Sequence, residues 1–301
     1  MLRHGRIRRS PRPSRYGWNG TVMSRVTARR PMHRIAPTGA VRRPDTLAVE
    51  EPLEIRVGGR SLVVTMRTPG NDIDLVHGFL LSENLIGDAD DIVAARYCAG
   101  TDENGHNTYN VLDITPRTPI PLPARNFLST GACGLCGKTA LDEVRKRGRF
   151  PIPRPGPRVS VATLAAMPDA LRARQSVFDA TGGLHAAGLF TADGTVLAVR
   201  EDIGRHNAVD KVIGWALREN LVPASDLVLI VSGRASFELV QKAVMAGIPM
   251  LGAVSAPSSL AVDLAAESGL TLVGFLRGET MNIYTEADRL VEHTTAYESV
   301  R

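Results

Sequence analysis

From residue 161 onward the chain alternates helix-length amphipathic stretches with short apolar runs, and this alternation constrains the fold more than any other feature. The spacing predicts a helix over 161–173, then a hairpin of 185–190 and 195–200 around Asp193-Gly194. It continues as helix 207–219, strand 227–231, helix 237–246, strand 249–254, helix 260–267 and strand 271–276. Apolar strands of this kind are buried on both faces, and an intervening helix is the usual way to return the chain to the same end of a sheet. The expectation is a mainly parallel or mixed α/β sheet.

The first half reads differently. Residues 53–57 and 61–66 alternate apolar and polar side chains around Gly58-Gly59, a hairpin signal. A helix over 74–82 follows, with Asn71 or Asp72 as cap and Leu75, Val76, Phe79 and Leu80 on one face. Further strands are expected at 92–98 and 108–114. Two proline-rich stretches, 115–125 and 151–157, read as a linker-like loop and a hinge. The expected organisation is an Arg-rich disordered extension over 1–44, a smaller α+β part over 45–150, and an α/β domain over 158–296.

The net charge of +5 is concentrated in the extension. Residues 1–44 contain twelve Arg and no acidic residue. Removing those twelve from the 36 basic residues leaves 24 against 31 acidic, so the remainder carries about −7. A basic nucleic-acid-binding face is therefore not expected on the folded part. The first twenty residues lack the apolar core of a secretory signal. They are read as a disordered arm, with a transit-like peptide or a true start at Met23 as alternatives. No apolar run reaches the roughly 18 residues of a membrane span. The three cysteines do not look like a disulfide framework, which favours a reducing, cytoplasmic setting.

Two of those cysteines carry the most specific chemistry. Cys133 and Cys136 form a CxxC flanked by Gly131, Gly134 and Gly137, after a proline-rich loop and before a helix expected to start near Lys138. Such a pair can hold half of a zinc site, cycle as a dithiol, or carry a persulfide. A structural zinc usually needs a second ligand pair, and the chain has no second CxxC; none is expected. A helix N-terminus and a lysine beside Cys136 both favour thiolate over thiol. The pair is expected to be reactive and mobile, as a sulfur carrier or a dithiol oxidoreductase.

Three predicted strand ends place Gly next to Arg: Gly204, Arg205 and His206; Gly233 and Arg234, with Ser236; and Arg277 with Gly278. Open α/β sheets bind ligands beyond the carboxyl ends of their strands. Glycine admits close approach to backbone N–H groups, and Arg meets phosphate as a fork. One such pair is commonplace at a solvated turn; three on one sheet edge point to a phosphate-bearing ligand. Glu201, Asp202 and Asp210 could contact its sugar or base, or simply pair with the arginines. A zinc deaminase carries H-x-E before P-C-x-x-C. Here His185 is followed by Ala186-Ala187 and the CxxC comes first, so deaminase chemistry is not expected, and His185 is either a core or a site residue.

The runs TGACGLCGK, FDATGGLHAAGLF, REDIGRHNAVDKVIG, SGRASFELVQKA, SAPSSLAVDLAAESGLTLVGF and FLRGET, in this order, resemble the FdhD family of formate dehydrogenase accessory proteins. The likeness spans roughly residues 46 to 290. It implies a cytidine-deaminase-like mixed sheet core, a homodimer, and a sulfurtransferase that takes persulfide sulfur from a cysteine desulfurase. The sulfur would pass to molybdenum bis(molybdopterin guanine dinucleotide), or its tungsten counterpart, for formate dehydrogenase. Cys133 would hold the persulfide with Cys136 as partner. Phe275, Leu276, Arg277, Gly278, Glu279 and Thr280 would match the cofactor-binding stretch. Some relatives have a further Cys where this chain has Gly183. The alternative is a non-catalytic chaperone for the same cofactor. No membrane or nucleic-acid partner is expected.

Overall fold

The computed structural model describes residues 26–98, 100, 108–120, 127–129 (backbone only) and 149–291. Cys133, Cys136 and the helix expected after them lie outside the described residues.

In the first half, β3 (Glu51–Val57) and β4 (Arg60–Arg67) form the expected hairpin. Its turn uses Gly58 and Gly59 at φ 56° and 81°, a left-handed pair that glycine adopts without steric cost. β5 (Ile92–Tyr97), β6 (Val111–Pro116) and β7 (Phe127–Ser129) complete a five-stranded sheet in the order β5-β6-β3-β4-β7. Helix α1 (Asp72–Ser82) follows β4. Asn71 occupies its cap position, but its side chain makes no capping bond.

In the second half, α2 (Val161–Arg172) and α3 (Ser176–Thr181) precede the hairpin β9 (His185–Thr191) and β10 (Val196–Asp202); a short strand β8 (Val159–Ser160) pairs with β15 (Leu290–Val291). Then α4 (Arg205–Arg218), β11 (Leu227–Val231), α5 (Phe237–Met245), β12 (Met250–Ala253), α6 (Ser259–Ser268), β13 (Thr271–Arg277) and β14 (Thr280–Ile283) follow. The six-stranded order is β10-β9-β11-β12-β13-β14. β11, β12 and β13 are parallel, whereas β9, β10 and β14 run antiparallel to their neighbours. The sheet is therefore mixed, because tight turns at Asp193-Gly194 and after Arg277 return the chain directly and only helices deliver parallel crossovers.

Alternate residues of each strand serve two cores. Val228, Ile230, Met250 and Val273 pack against Leu164, Met167 and Leu171 of α2. Leu229, Leu251 and Leu272 face α4, α5 and α6 in a larger cluster. That cluster extends without a break to Leu53, Ile55, Leu75 and Leu112, so the two expected parts share one core. The junction is α1 against α4. A Cβ at Gly78 would collide with the Asp210 carbonyl, and one at Gly214 with the Asp74 carbonyl, so only glycines allow the two backbones to cross this closely.

The expectation of disorder over 1–44 does not hold for its second half. β1 (Thr27–Ala36) and β2 (Gly39–Ala48) pair antiparallel over ten residues each, with β2 running through the expected boundary. Composition misleads here because a two-stranded ribbon can satisfy its backbone bonds without burying side chains. Residues 1–25 lie outside the described residues.

Candidate functional site

Strand direction brings the expected site residues to one end of the six-stranded sheet. β11, β12 and β13 end there; β9 begins there, and β10 ends opposite it, with Asp202 paired to His185.

At the end of β10, Asp202 is fully buried. Its carboxylate accepts from Gly204 N (2.8 Å), Asn207 Nδ2 (3.0 Å) and Thr68 N (3.1 Å), and pairs with Lys211 Nζ at 2.7 Å. Asn207 Nδ2 also donates to the Met66 carbonyl at 2.7 Å. These bonds fix the turn that presents Gly204, Arg205 and His206. Gly204 is the N-cap of α4, and no side chain caps that helix. Its first turn therefore keeps backbone N–H groups and a partial positive charge toward the sheet end. Arg205 Nε is buried without a hydrogen-bond partner, and no described acidic group forms an ion pair with this arginine.

At the end of β11, Gly233 passes close to His185, where an added Cβ would lie 3.3 Å from the His185 Nδ1. A side chain there would require the His185 ring to give by a few tenths of an ångström. Ser232 Oγ accepts from Ala186 N at 2.9 Å, anchoring the turn to β9. Arg234 is exposed. Ser236, N-cap of α5, makes no capping bond, and its Oγ stands 3.5 Å from His206 Nε2. Glu238 Oε2 lies 3.6 Å from the same nitrogen. The N-terminus of α6 differs: Ser258 caps it by accepting from Ala261 N at 3.3 Å.

At the end of β13 the ladder is irregular between Gly274 and Arg277. Phe275 sits there at φ 52° with its side chain 43% exposed. A left-handed aromatic residue turned to solvent costs free energy in two ways, and such strain gathers at binding sites. Phe275 N donates to the Ser255 carbonyl and Arg277 Nε to the Val254 carbonyl, tying this turn to the end of β12. Gly278 adopts φ 53° in the turn to β14, and Thr280 Oγ1 donates to the Arg277 carbonyl at 3.1 Å. Arg277, Gly278, Glu279 and Thr280 are exposed, whereas the Leu276 side chain is fully buried in the α2-side core.

Burial, and then the positive charges of Arg205 and His206, push the His185 imidazole below its usual range, with Asp202 opposing. A neutral ring at the base of a cationic rim can take up a proton when an anion arrives. The three acids weighed in the sequence do not reach this rim. Asp202 holds the turn, Glu201 accepts from Val177 N (3.0 Å) and Phe178 N (2.8 Å) at the start of α3, and Asp210 pairs with Lys242 at 2.7 Å and accepts from Ser82. Sequence reasoning missed the supports Lys211, Asn207, Ser232 and Thr68, whereas Ser236 falls within the expected Gly233-Arg234 strand end. Asn207, three residues beyond Gly204 in an uncapped helix start, is the one with a readable signal.

The described arrangement defines a mixed α/β protein with an uncapped, guanidinium-rich strand-end rim suited to a phosphate-bearing anion. A family model, the FdhD/NarQ family, matches residues 48–291. The chain belongs to this family. It is 77% identical over 269 residues to the sulfur carrier protein FdhD of Nocardia farcinica, covering 89% of this chain and 96% of that one. It is 54% identical over 275 residues to the protein of that name from Mycobacterium tuberculosis, covering 89% of this chain and all of its relative. The crystal structure of a formate dehydrogenase accessory protein from Desulfotalea psychrophila superposes with a TM-score of 0.69 at 23% identity, covering 88% of this chain and 100% of that one, a likeness of fold.

Proposed function

We propose that this chain is a sulfur carrier for formate dehydrogenase, accepting persulfide sulfur on Cys133 and delivering it to a guanine-dinucleotide molybdenum cofactor held at the strand-end rim. The observation that carries the reading is the convergence of Arg205, His206, Gly233, Arg234 and Arg277 on one sheet end beside two uncapped helix starts. The names of the close relatives support sulfur traffic. The order β10-β9-β11-β12-β13, a hairpin beside three parallel strands, supports the deaminase-like core.

In the first step the Cys133 thiolate attacks the outer sulfur of a persulfide on a cysteine desulfurase, forming a new S–S bond and releasing the donor thiolate. In the second, the Cys136 thiolate attacks Cys133 Sγ and the terminal sulfur leaves as hydrosulfide for the metal of the bound cofactor. The two cysteines are oxidised to a disulfide, which a cellular dithiol must reduce before the next cycle. The rim binds the pyrophosphates and guanine of that cargo: Arg205, Arg234 and Arg277 as cations, Phe275 as a stacking face, and the first turns of α4 and α5 as N–H donors. Two copies of the chain acting as a homodimer in a reducing cytoplasm complete the reading.

The test is complementation of a strain lacking its own carrier. Wild-type chain should restore formate dehydrogenase activity and a Cys133→Ala/Cys136→Ala variant should not. Full restoration by that variant would identify a cofactor chaperone instead. Isothermal titration with guanosine diphosphate tests the rim separately: Arg205→Met should weaken binding about ten-fold or more, the scale of one charge-assisted hydrogen bond.

A further inference from the structure

The ribbon of β1 and β2 is not used by the proposed chemistry. It is ten residue pairs long, about 34 Å at about 3.4 Å per residue. It forms its own two-stranded sheet, and none of its residues is buried. Its base lies against α3, where Ala48 approaches Gly183, so the ribbon is rooted beside His185 and points its turn at Pro37-Thr38 away from that root. An isolated two-stranded hairpin is marginally stable at best in water, and this one also exposes Ile35 (75%) and Val41 (62%) near its tip. Both facts call for a surface that covers it.

Charge says which surface. Arg29, Arg30, Arg42 and Arg43 line a shallow cavity of about 330 Å3 with Pro31 and Pro44. Arg34 stands opposite Val41 on the tip half of the ribbon. Among the described residues no ion pair engages any of these five arginines, and the acidic residue within the two strands is Asp45. The rest of the chain, from residue 49, has 24 basic against 30 acidic residues and carries about −6, so its own body is the complementary partner in net charge. A nucleic acid would match the arginines but leave the aliphatic tip without a purpose.

We propose that the ribbon of residues 27–48 is a clasp that lies on the acidic body of a second copy of this chain. The arginines steer the approach, and Ile35 and Val41 seat the tip. The clasp rests on the homodimer reading above and specifies what holds the two copies together.

The test uses the full chain. With p-benzoylphenylalanine at position 35, ultraviolet light should give a covalent dimer with the crosslink mapped to residues beyond 45 of the other copy. Analytical ultracentrifugation should show an Arg34→Glu/Arg42→Glu/Arg43→Glu variant dimerising roughly 10- to 100-fold more weakly at low salt, the sum of several exposed ion pairs lost and reversed. Wild-type affinity should fall toward that of the variant near 1 M salt, where charges are screened within about 3 Å. These exposed substitutions leave both cores untouched, and circular dichroism checks the fold. A dimer indifferent to the variant, with no crosslink, overturns the clasp and leaves the homodimer standing. A monomer at all concentrations overturns both, and crosslinks to co-purified nucleic acid overturn the choice of partner.

Discussion

Replacing Asp202 with Asn separates the support of the strand-end rim from its ligand contacts. The carboxylate is fully buried, accepts from three N–H donors and pairs with Lys211, itself 1% exposed, at 2.7 Å. The amide keeps the volume and loses the charge. Lys211 would then retain the carbonyls of Thr68 at 2.8 Å and Glu201 at 3.4 Å. Breaking one member of a buried pair costs about 3–5 kcal/mol, and the remaining carbonyls place this case near the lower end. A loss of about 3 kcal/mol corresponds to a Tm lower by roughly 6–12 °C for a chain of this class. Urea unfolding followed by circular dichroism measures the loss directly. The double variant Asp202→Asn/Lys211→Met removes the stranded ammonium and should recover about 1 kcal/mol or more relative to the single. Guanosine diphosphate affinity should fall in both, because the Gly204 turn loses its anchor. A single variant costing less than about 1 kcal/mol, or a double variant that simply adds two losses, would refute the role given to this pair.

Other expectations follow from the same geometry. His77 is fully buried, its Nδ1 bonds the Ile73 carbonyl at 2.8 Å, and burial pushes the ring down to about 4. Because the unfolded chain protonates near 6.5 and the folded one only near 4, folding stability should drop by about 3 kcal/mol as pH falls through that window, and a His77→Gln variant should lack this slope in urea titrations. Gly214→Ala should destabilise by about 3 kcal/mol or more, since its Cβ meets the Asp74 backbone rather than a side chain that could move. Phe275→Gly should raise stability by up to about 1 kcal/mol by relieving a left-handed backbone, while weakening guanosine diphosphate binding in titration calorimetry. Proton uptake should accompany that binding as the anion restores the depressed His185 toward its ordinary range, read from titrations in buffers of different ionisation enthalpy.

Much of the α/β part is legible in the sequence because its strands are apolar on both faces. The run 227–231 is a strand with the same bounds in the structure, and the helix expected over 237–246 spans Phe237–Met245. Strand direction is less legible. Periodicity is blind to it, and the short turn after Arg277 that makes β14 antiparallel shows only as Gly278. The ribbon over 27–48 escapes sequence reasoning because arginine-rich alternation without a buried face looks like disorder. At the site, the cationic residues Arg205, Arg234 and Arg277 announce themselves as Gly-Arg pairs. The residues that position them do not, since Thr68 and Lys211 reach Asp202 from an element more than a hundred residues away and from the far side of a helix turn. The Phe275 backbone conformation has no sequence signature beyond the neighbouring Gly274.

The account turns on Cys133 and Cys136, and one measurement reads them directly. The chain is incubated with a cysteine desulfurase and cysteine, digested without reductant, and the peptide holding both thiols is weighed by mass spectrometry. The account predicts the mass of one added sulfur on that peptide in the wild type and in Cys136→Ala, and none in Cys133→Ala. An unmodified peptide in all three, with the desulfurase itself carrying persulfide, would contradict it.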